Sequence, residues 1–232
     1  MNINWFIDQF NSTFIVADRY KLFIEGFKNT LIIALGAAAI GIAIGAVVAM
    51  VRVYHAQTGR MKILDLLFRA YLAFFRGTPV IVQLMIMYYI VLKSLNSGLI
   101  IAILAMGVNS GAYVAEIFRA GILSIDIGQT EAGRSLGLSA FKTLTLIVLP
   151  QAIKNILPTL GNEFISLIKE TSVVGAYIPL RDLSKAAANV RSNTAEPYFS
   201  LLFTALVYFL LVLGLTKLLK LVEGRLAKSD RG

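Results

Sequence analysis

The residues able to do chemistry in this chain are few, and they stand inside apolar runs. Asn162 and Glu163 sit in the middle of one run, with Lys169 and Glu170 nearly two turns on; Asn109, Ser110, Tyr113 and Glu116 interrupt another. At 100° per residue, Met106, Asn109, Ser110, Tyr113, Glu116 and Ala120 all fall within about 60° of Tyr113, so one helix face carries the hydrogen-bonding groups of that run. By the same measure Thr159, Ser166 and Glu170 lie within about 60° of Glu163. Ionisable groups in such surroundings are costly enough to count as functional candidates. A carboxylate there can hold an ammonium or guanidinium group. Catalysis has little support: the chain has no cysteine and a single histidine, His55, which excludes a thiolate metal site and any multi-histidine site.

Each candidate also has a plainer reading. Glu116 has Arg119 one turn later, and a stabilising helical ion pair is preferred there over solute contact. Asn109 and Ser110 lie nearer the middle of their run and are the stronger solute candidates. Glu163 could pair with Lys169 or a neighbouring helix, but direct solute binding is preferred for it.

The elements that must position these residues are membrane spans. With 57% hydrophobic residues, 15% charged residues and a mean hydropathy of +0.75, the 232-residue chain is too apolar for a soluble globular domain. It reads as an all-α integral membrane protein, a single transmembrane domain over 1–232. Its membrane segments are expected at 29–51, 64–95, 98–124, 154–177 and 197–220, with a polar loop at 125–153. The aromatic and charged stretch before residue 29 suits a membrane–water interface and is too long, without a basic start, for a signal peptide. Gly41 and Gly45 have the small-residue spacing that lets two helices approach closely. Pro79 lacks a backbone N–H and disfavours helix at Thr78, which predicts a bend after a half-inserted helix. Carbonyls freed there are tolerated only inside protein or beside water.

The net charge of +9 is not a nucleic-acid footprint, because lysines and arginines cluster between the spans. With the N-terminus outside, the cytoplasmic segments hold Arg52, Arg60, Lys62, Arg119, Arg134, Lys142, Lys154, Lys217, Lys220, Arg225, Lys228 and Arg231. Outside lie Arg19, Lys21, Lys28, Lys93, Arg181, Lys185 and Arg191. That is the asymmetry the positive-inside rule prefers, and it puts the C-terminus and the 125–153 loop in the cytoplasm.

That loop holds the most specific pattern in the chain. Glu131-Ala132-Gly133, then Gly137, then Ile147 with Leu149-Pro150, follows a spacing that a loop making only turns would not need. Glu131 is expected in the first turn of a short helix, where the helix dipole favours a carboxylate. Gly133 and Gly137 are expected to leave a notch beside which Leu136, Leu138 and Phe141 project into a partner's groove.

This segment resembles the EAA loop that permeases of ATP-binding-cassette (ABC) importers present to their ATPase subunits, with Gly133 in place of the second alanine. Arg76-Gly77-Thr78-Pro79 followed by Gln83, together with the Leu157 to Ser172 segment around Asn162-Glu163, resembles the subfamily that carries polar amino acids. The resemblance covers nearly the whole chain. It implies the type I importer permease fold, residence in a bacterial cytoplasmic membrane, and pairing with a second permease as a homodimer or pseudo-homodimer. It also implies two cytoplasmic ATPases bound at Glu131, Ala132, Gly133, Leu136, Gly137, Leu138 and Phe141, and an extracytoplasmic solute-binding protein received by the polar stretch from Tyr177 to Pro197. ATP and magnesium would sit on the ATPase, since no phosphate-binding loop is present in this chain; no cofactor, metal or nucleic acid is expected on the permease, which would not be an enzyme. The solute would be a polar amino acid, with a basic one as the guess, met by Glu163, Asn162, Asn109, Ser110, Met106, Tyr113, Glu116, Thr159, Ser166 and Gln83. The alternatives are an ion-coupled secondary transporter or channel relaying protons through Glu116, Glu163 and Glu170, and a membrane scaffold that transports nothing.

Overall fold

A computed structural model describes residues 3–229, with side chains as far as residue 225. Of the basic residues counted for orientation, Arg231 and the side chain of Lys228 lie outside the described part. Every regular element among the described residues is helical. In chain order these are α1 (Ile3–Phe10), α2 (Tyr20–Thr58), α3 (Lys62–Gly77), α4 (Val80–Ile86), α5 (Gly98–Leu123), α6 (Ile127–Ser135), α7 (Ala140–Thr143), α8 (Leu149–Glu170), α9 (Val174–Tyr177), α10 (Leu183–Thr194) and α11 (Tyr198–Ser229). Four stretches are long and apolar enough to cross a bilayer: Tyr20–Thr58, Gly98–Leu123, Ala140–Tyr177 and Tyr198–Arg225. The pair Lys62–Gly77 and Val80–Val91, bent by 112° at its break, makes a fifth when counted as one span. An odd number of crossings leaves the two termini on opposite sides of the membrane.

Three helix boundaries differ from the sequence expectation. The first span is a 39-residue helix, well beyond 29–51, because polar residues at both its ends pack on other parts of the chain instead of terminating it. At the outer end, Gly26 lies so close to the Asp182 carbonyl that a Cβ there would approach it to 2.6 Å. The loop expected at 125–153 is mostly helical, and helix resumes at Ala140 and runs through a wider turn at Leu144–Val148 into α8. Leu149-Pro150 therefore lies inside a continuous helix rather than closing a loop, with the proline, which has no N–H to donate, directly after the wider turn.

The core is built where α2 lies against α5, the most extensive helix pair in the molecule. Gly41 and Gly45 fall on this seam: a Cβ at Gly45 would stand 2.5 Å from Val114 Cγ1, and one at Gly41 would stand 3.0 Å from Ser110 Oγ. Close backbone approach of this kind drives helix association in lipid, where burial of apolar surface alone gives no preference for a neighbouring helix.

The outer polar segment is fixed by one buried side chain. Asp182 accepts hydrogen bonds from the backbone N–H groups of Gly175 (3.0 Å) and Lys185 (2.6 Å), capping α10 and tying it to α9. Burial raises its carboxyl above the ordinary aspartate value, opposed by those N–H donors and by the charge of Lys185.

Candidate functional site

The break between α3 and α4 is the first determinant of the site. In an uninterrupted helix the Phe75 carbonyl would accept from the residue at position 79, but Pro79 has no N–H to donate. The carbonyl is met by Gln83 Nε2 at 2.9 Å and Asn109 Nδ2 at 3.5 Å. Gln83 Nε2 also donates to the Thr78 carbonyl (3.0 Å) and to Thr78 Oγ1 (2.8 Å), while Gln83 Oε1 accepts from Asn109 Nδ2 at 2.7 Å. Both side chains are buried. The sequence predicts Gln83 and Asn109 as solute contacts; in the structure they satisfy backbone groups at the break and clasp the corner to α5. Met106, another of that set, is fully buried against Ile33, Ala37, Leu84 and Leu167, away from any opening.

A groove runs between α5 and α8. A cavity of about 490 Å³ is lined by Arg76, Tyr113, Glu116, Thr159, Asn155 and Glu163 among others, within the size range of small-molecule sites. Four residues of the predicted set, Tyr113, Glu116, Thr159 and Glu163, therefore share one opening. Ser110 is buried beneath it and donates to Glu163 Oε1 at 3.1 Å. Asn162 is exposed and Ser166 half-buried, neither lining the groove. The single polar face read from the helical wheel thus turns out to meet several neighbours: Asn109 faces α4, Ser110 faces α8, and Tyr113 and Glu116 face the groove.

Glu116 is held by arginines. Arg119 donates through Nε (2.9 Å) and Nη2 (2.8 Å) to Oε2, as the helical-pair reading expects. Two longer-range partners were not legible locally: Arg52 Nη1 donates to Oε1 at 2.8 Å, and Arg76 Nη1 stands 3.9 Å from the same oxygen. Arg52 Nε in turn lies 3.6 Å from the buried Asp65, which also pairs with Arg69 at 2.6 Å and faces His55 at 3.7 Å. Asp65 and Arg69, four residues apart near the start of an amphipathic helix, were the available signal for this cluster. Among the described residues no group of metal-ligating side chains comes together.

At the far end of the groove's helices, α6 carries the Glu131 segment. Its N-cap is Asp126, whose carboxylate accepts from Gly128 N–H at 2.6 Å. Glu131 therefore lies in the second turn, not the first, five residues after the capping Asp126. Gly133 and Gly137 do not form one notch. Gly133 is buried, with a Cβ there blocked by Thr143 Cγ2 at 2.7 Å, so its smallness is used within the chain. Gly137 is exposed at φ +83° and ends the helix, its N–H donating to the Arg134 carbonyl while the Leu138 N–H donates to Gly133. Leu136 is 81% exposed and Phe141 54% exposed; Glu131 and Ala132 are also exposed, whereas Leu138 is half-buried.

Residues 41–228 match the family described as the binding-protein-dependent transport system inner membrane component. The chain is 39% identical over 210 residues to the arginine transport system permease protein ArtQ of Bacillus subtilis, covering 89% of this chain and 93% of that protein. It is 36% identical over 206 residues to a putative glutamine transport system permease protein GlnP of Rickettsia typhi, covering 88% and 92%. Among solved structures, an amino acid ABC transporter crystallised with histidines superposes with a TM-score of 0.81 at 37% identity, covering 90% of this chain and 96% of that one. An inward-facing MetNI methionine ABC transporter shares the fold, with a TM-score of 0.76 at 20% identity and coverage of 88% and 96%.

Proposed function

The chain belongs to the family of binding-protein-dependent transport system inner membrane components, and from that premise we propose that it forms half of the pathway by which an ABC importer moves a polar, basic amino acid across a bacterial cytoplasmic membrane. The observation that carries this reading is Glu163: a carboxylate on a membrane-spanning helix, opening on a groove of about 490 Å³ and engaged by a single serine hydroxyl. Such a group can hold an ammonium or guanidinium group of a solute. The names of the similar proteins, arginine and glutamine permeases among them, support an amino acid as cargo.

A second copy of this chain or a related one would close the groove from the open side. Cytoplasmic ATPases, carrying ATP and magnesium, would bind the exposed Glu131, Ala132, Leu136 and Phe141 around α6, and Gly133 and Gly137 would shape that element from within. A solute-binding protein would dock on the outer segment around α10. ATP-driven closure of the ATPases would move α6 and rock the spans between inward-open and outward-open forms. The membrane chain itself supplies the path and no chemistry.

The test is Glu163→Gln in the importer reconstituted into liposomes with its ATPase and binding protein. Uptake of L-arginine and the ATP hydrolysis it stimulates are expected to fall together by about tenfold or more, the loss of one charge-assisted contact. Wild-type rates in that variant would make Glu163 structural. Uptake driven by an ion gradient without the ATPase would replace the importer with a secondary transporter.

A further inference from the structure

The groove has a second charged end. A cavity of about 540 Å³ lined by Arg52, Arg69, Leu72, Arg76, Tyr113 and Glu116 adjoins the one reaching Glu163, with Arg76, Tyr113 and Glu116 bordering both. Among the described residues, four guanidinium groups, of Arg52, Arg69, Arg76 and Arg119, meet two carboxylates there, Asp65 and Glu116. Positive charge is in excess. Arg69 is committed to Asp65 at 2.6 Å, Arg119 makes two bonds to Glu116, and Arg52 reaches the same carboxylate at 2.8 Å. Arg76 is the most loosely held: its ion pair is 3.9 Å long, its side chain is 46% exposed, and its guanidinium lies 5.9 Å from the Tyr113 ring centroid.

Its backbone, by contrast, is fixed. Arg76 sits in the last turn of α3, next to the corner that Gln83 and Asn109 clasp. A guanidinium on a fixed stem, facing an open groove, is a fork suited to a carboxylate. Arg76 and Glu163 both line the cavity of about 490 Å³, one as a guanidinium and the other as a carboxylate, so a single solute held there can present a carboxylate to Arg76 and a cationic group to Glu163.

We propose that Arg76 is the anchor for the α-carboxylate of the transported amino acid, in the same groove where Glu163 takes a cationic group of that solute. This rests on reading the groove as an amino acid pathway, and the experiment separates the two. L-arginine and agmatine, which is arginine without its carboxylate, are titrated into the permease–ATPase complex in nanodiscs, wild type and Arg76→Gln. In the wild type L-arginine should bind at least about tenfold more tightly than agmatine. In Arg76→Gln that preference should vanish, through a loss of about tenfold or more for L-arginine and an unchanged or higher affinity for agmatine. A variant that weakens both ligands alike, or keeps the wild-type preference, would overturn the role of Arg76 and leave the pathway standing. A wild-type complex that binds neither ligand would remove both.

Discussion

Glu163 and Glu116 line the same groove on facing helices, yet their surroundings are opposite. Glu116 accepts three hydrogen bonds from two arginines and has a third arginine at 3.9 Å. Glu163 accepts one, from the hydroxyl of Ser110. A carboxylate whose acceptor sites are filled by guanidinium groups acts as a brace between helices, here joining α2, α3 and α5. One that keeps most of its acceptor sites open toward a cavity is placed to exchange partners. Residue type therefore says little about role in this protein; the number of committed partners says more.

The difference can be attacked from both sides. The largest effect is expected from Glu116→Ala, which leaves the partly buried Arg52 with only Asp65 and removes the charged link between α2, α3 and α5; thermal inactivation of the purified protein should report a loss of about 3 kcal/mol. Gln83→Ala comes next, at about 2 kcal/mol, since it removes the side-chain donor to the Thr78 carbonyl and leaves the Phe75 carbonyl only its 3.5 Å contact with Asn109. It also asks whether Gln83 is a clasp or a solute contact: a clasp loses stability, a solute contact only affinity. For Glu163→Gln the expectation reverses, with a stability change within about 0.5 kcal/mol, since a glutamine oxygen can still accept from Ser110, while L-arginine uptake falls by about tenfold or more. Equal stability losses at Glu163 and Glu116 would erase the distinction. Gly137→Ala should cost less stability than Glu116→Ala or Gln83→Ala, about 1 kcal/mol from the positive φ at the end of α6, measurable in the same inactivation assay.

Much of the fold could be read from residues close together in the sequence. Long apolar runs marked the spans, Pro79 marked the sharp corner, and Gly41 and Gly45 marked a close helix approach, without saying that α5 would be the partner. What could not be read involved partners far apart. Nothing near Arg52 announces Glu116, 64 positions away, and nothing near Gln83 announces that the carbonyl it must satisfy is that of Phe75. The wheel correctly gathered Asn109, Ser110, Tyr113 and Glu116 onto one face, but a wheel has no neighbours on it. It could not tell a group consumed by an adjacent helix from one left facing an opening. Gly133 shows the same limit: its spacing marked it, while the direction in which its missing side chain mattered was set by Thr143.

The 39-residue helix that begins the membrane domain is about 58 Å long at 1.5 Å per residue, nearly twice the thickness of the hydrocarbon core it crosses. One end is wedged against the capped turn at Asp182 and the other carries Arg52 into the arginine cluster. A rod so fastened bends little, so a tilt imposed at its inner tip arrives at the opposite surface as a displacement of similar size. The two membrane faces of the domain are thereby linked through a single piece of backbone.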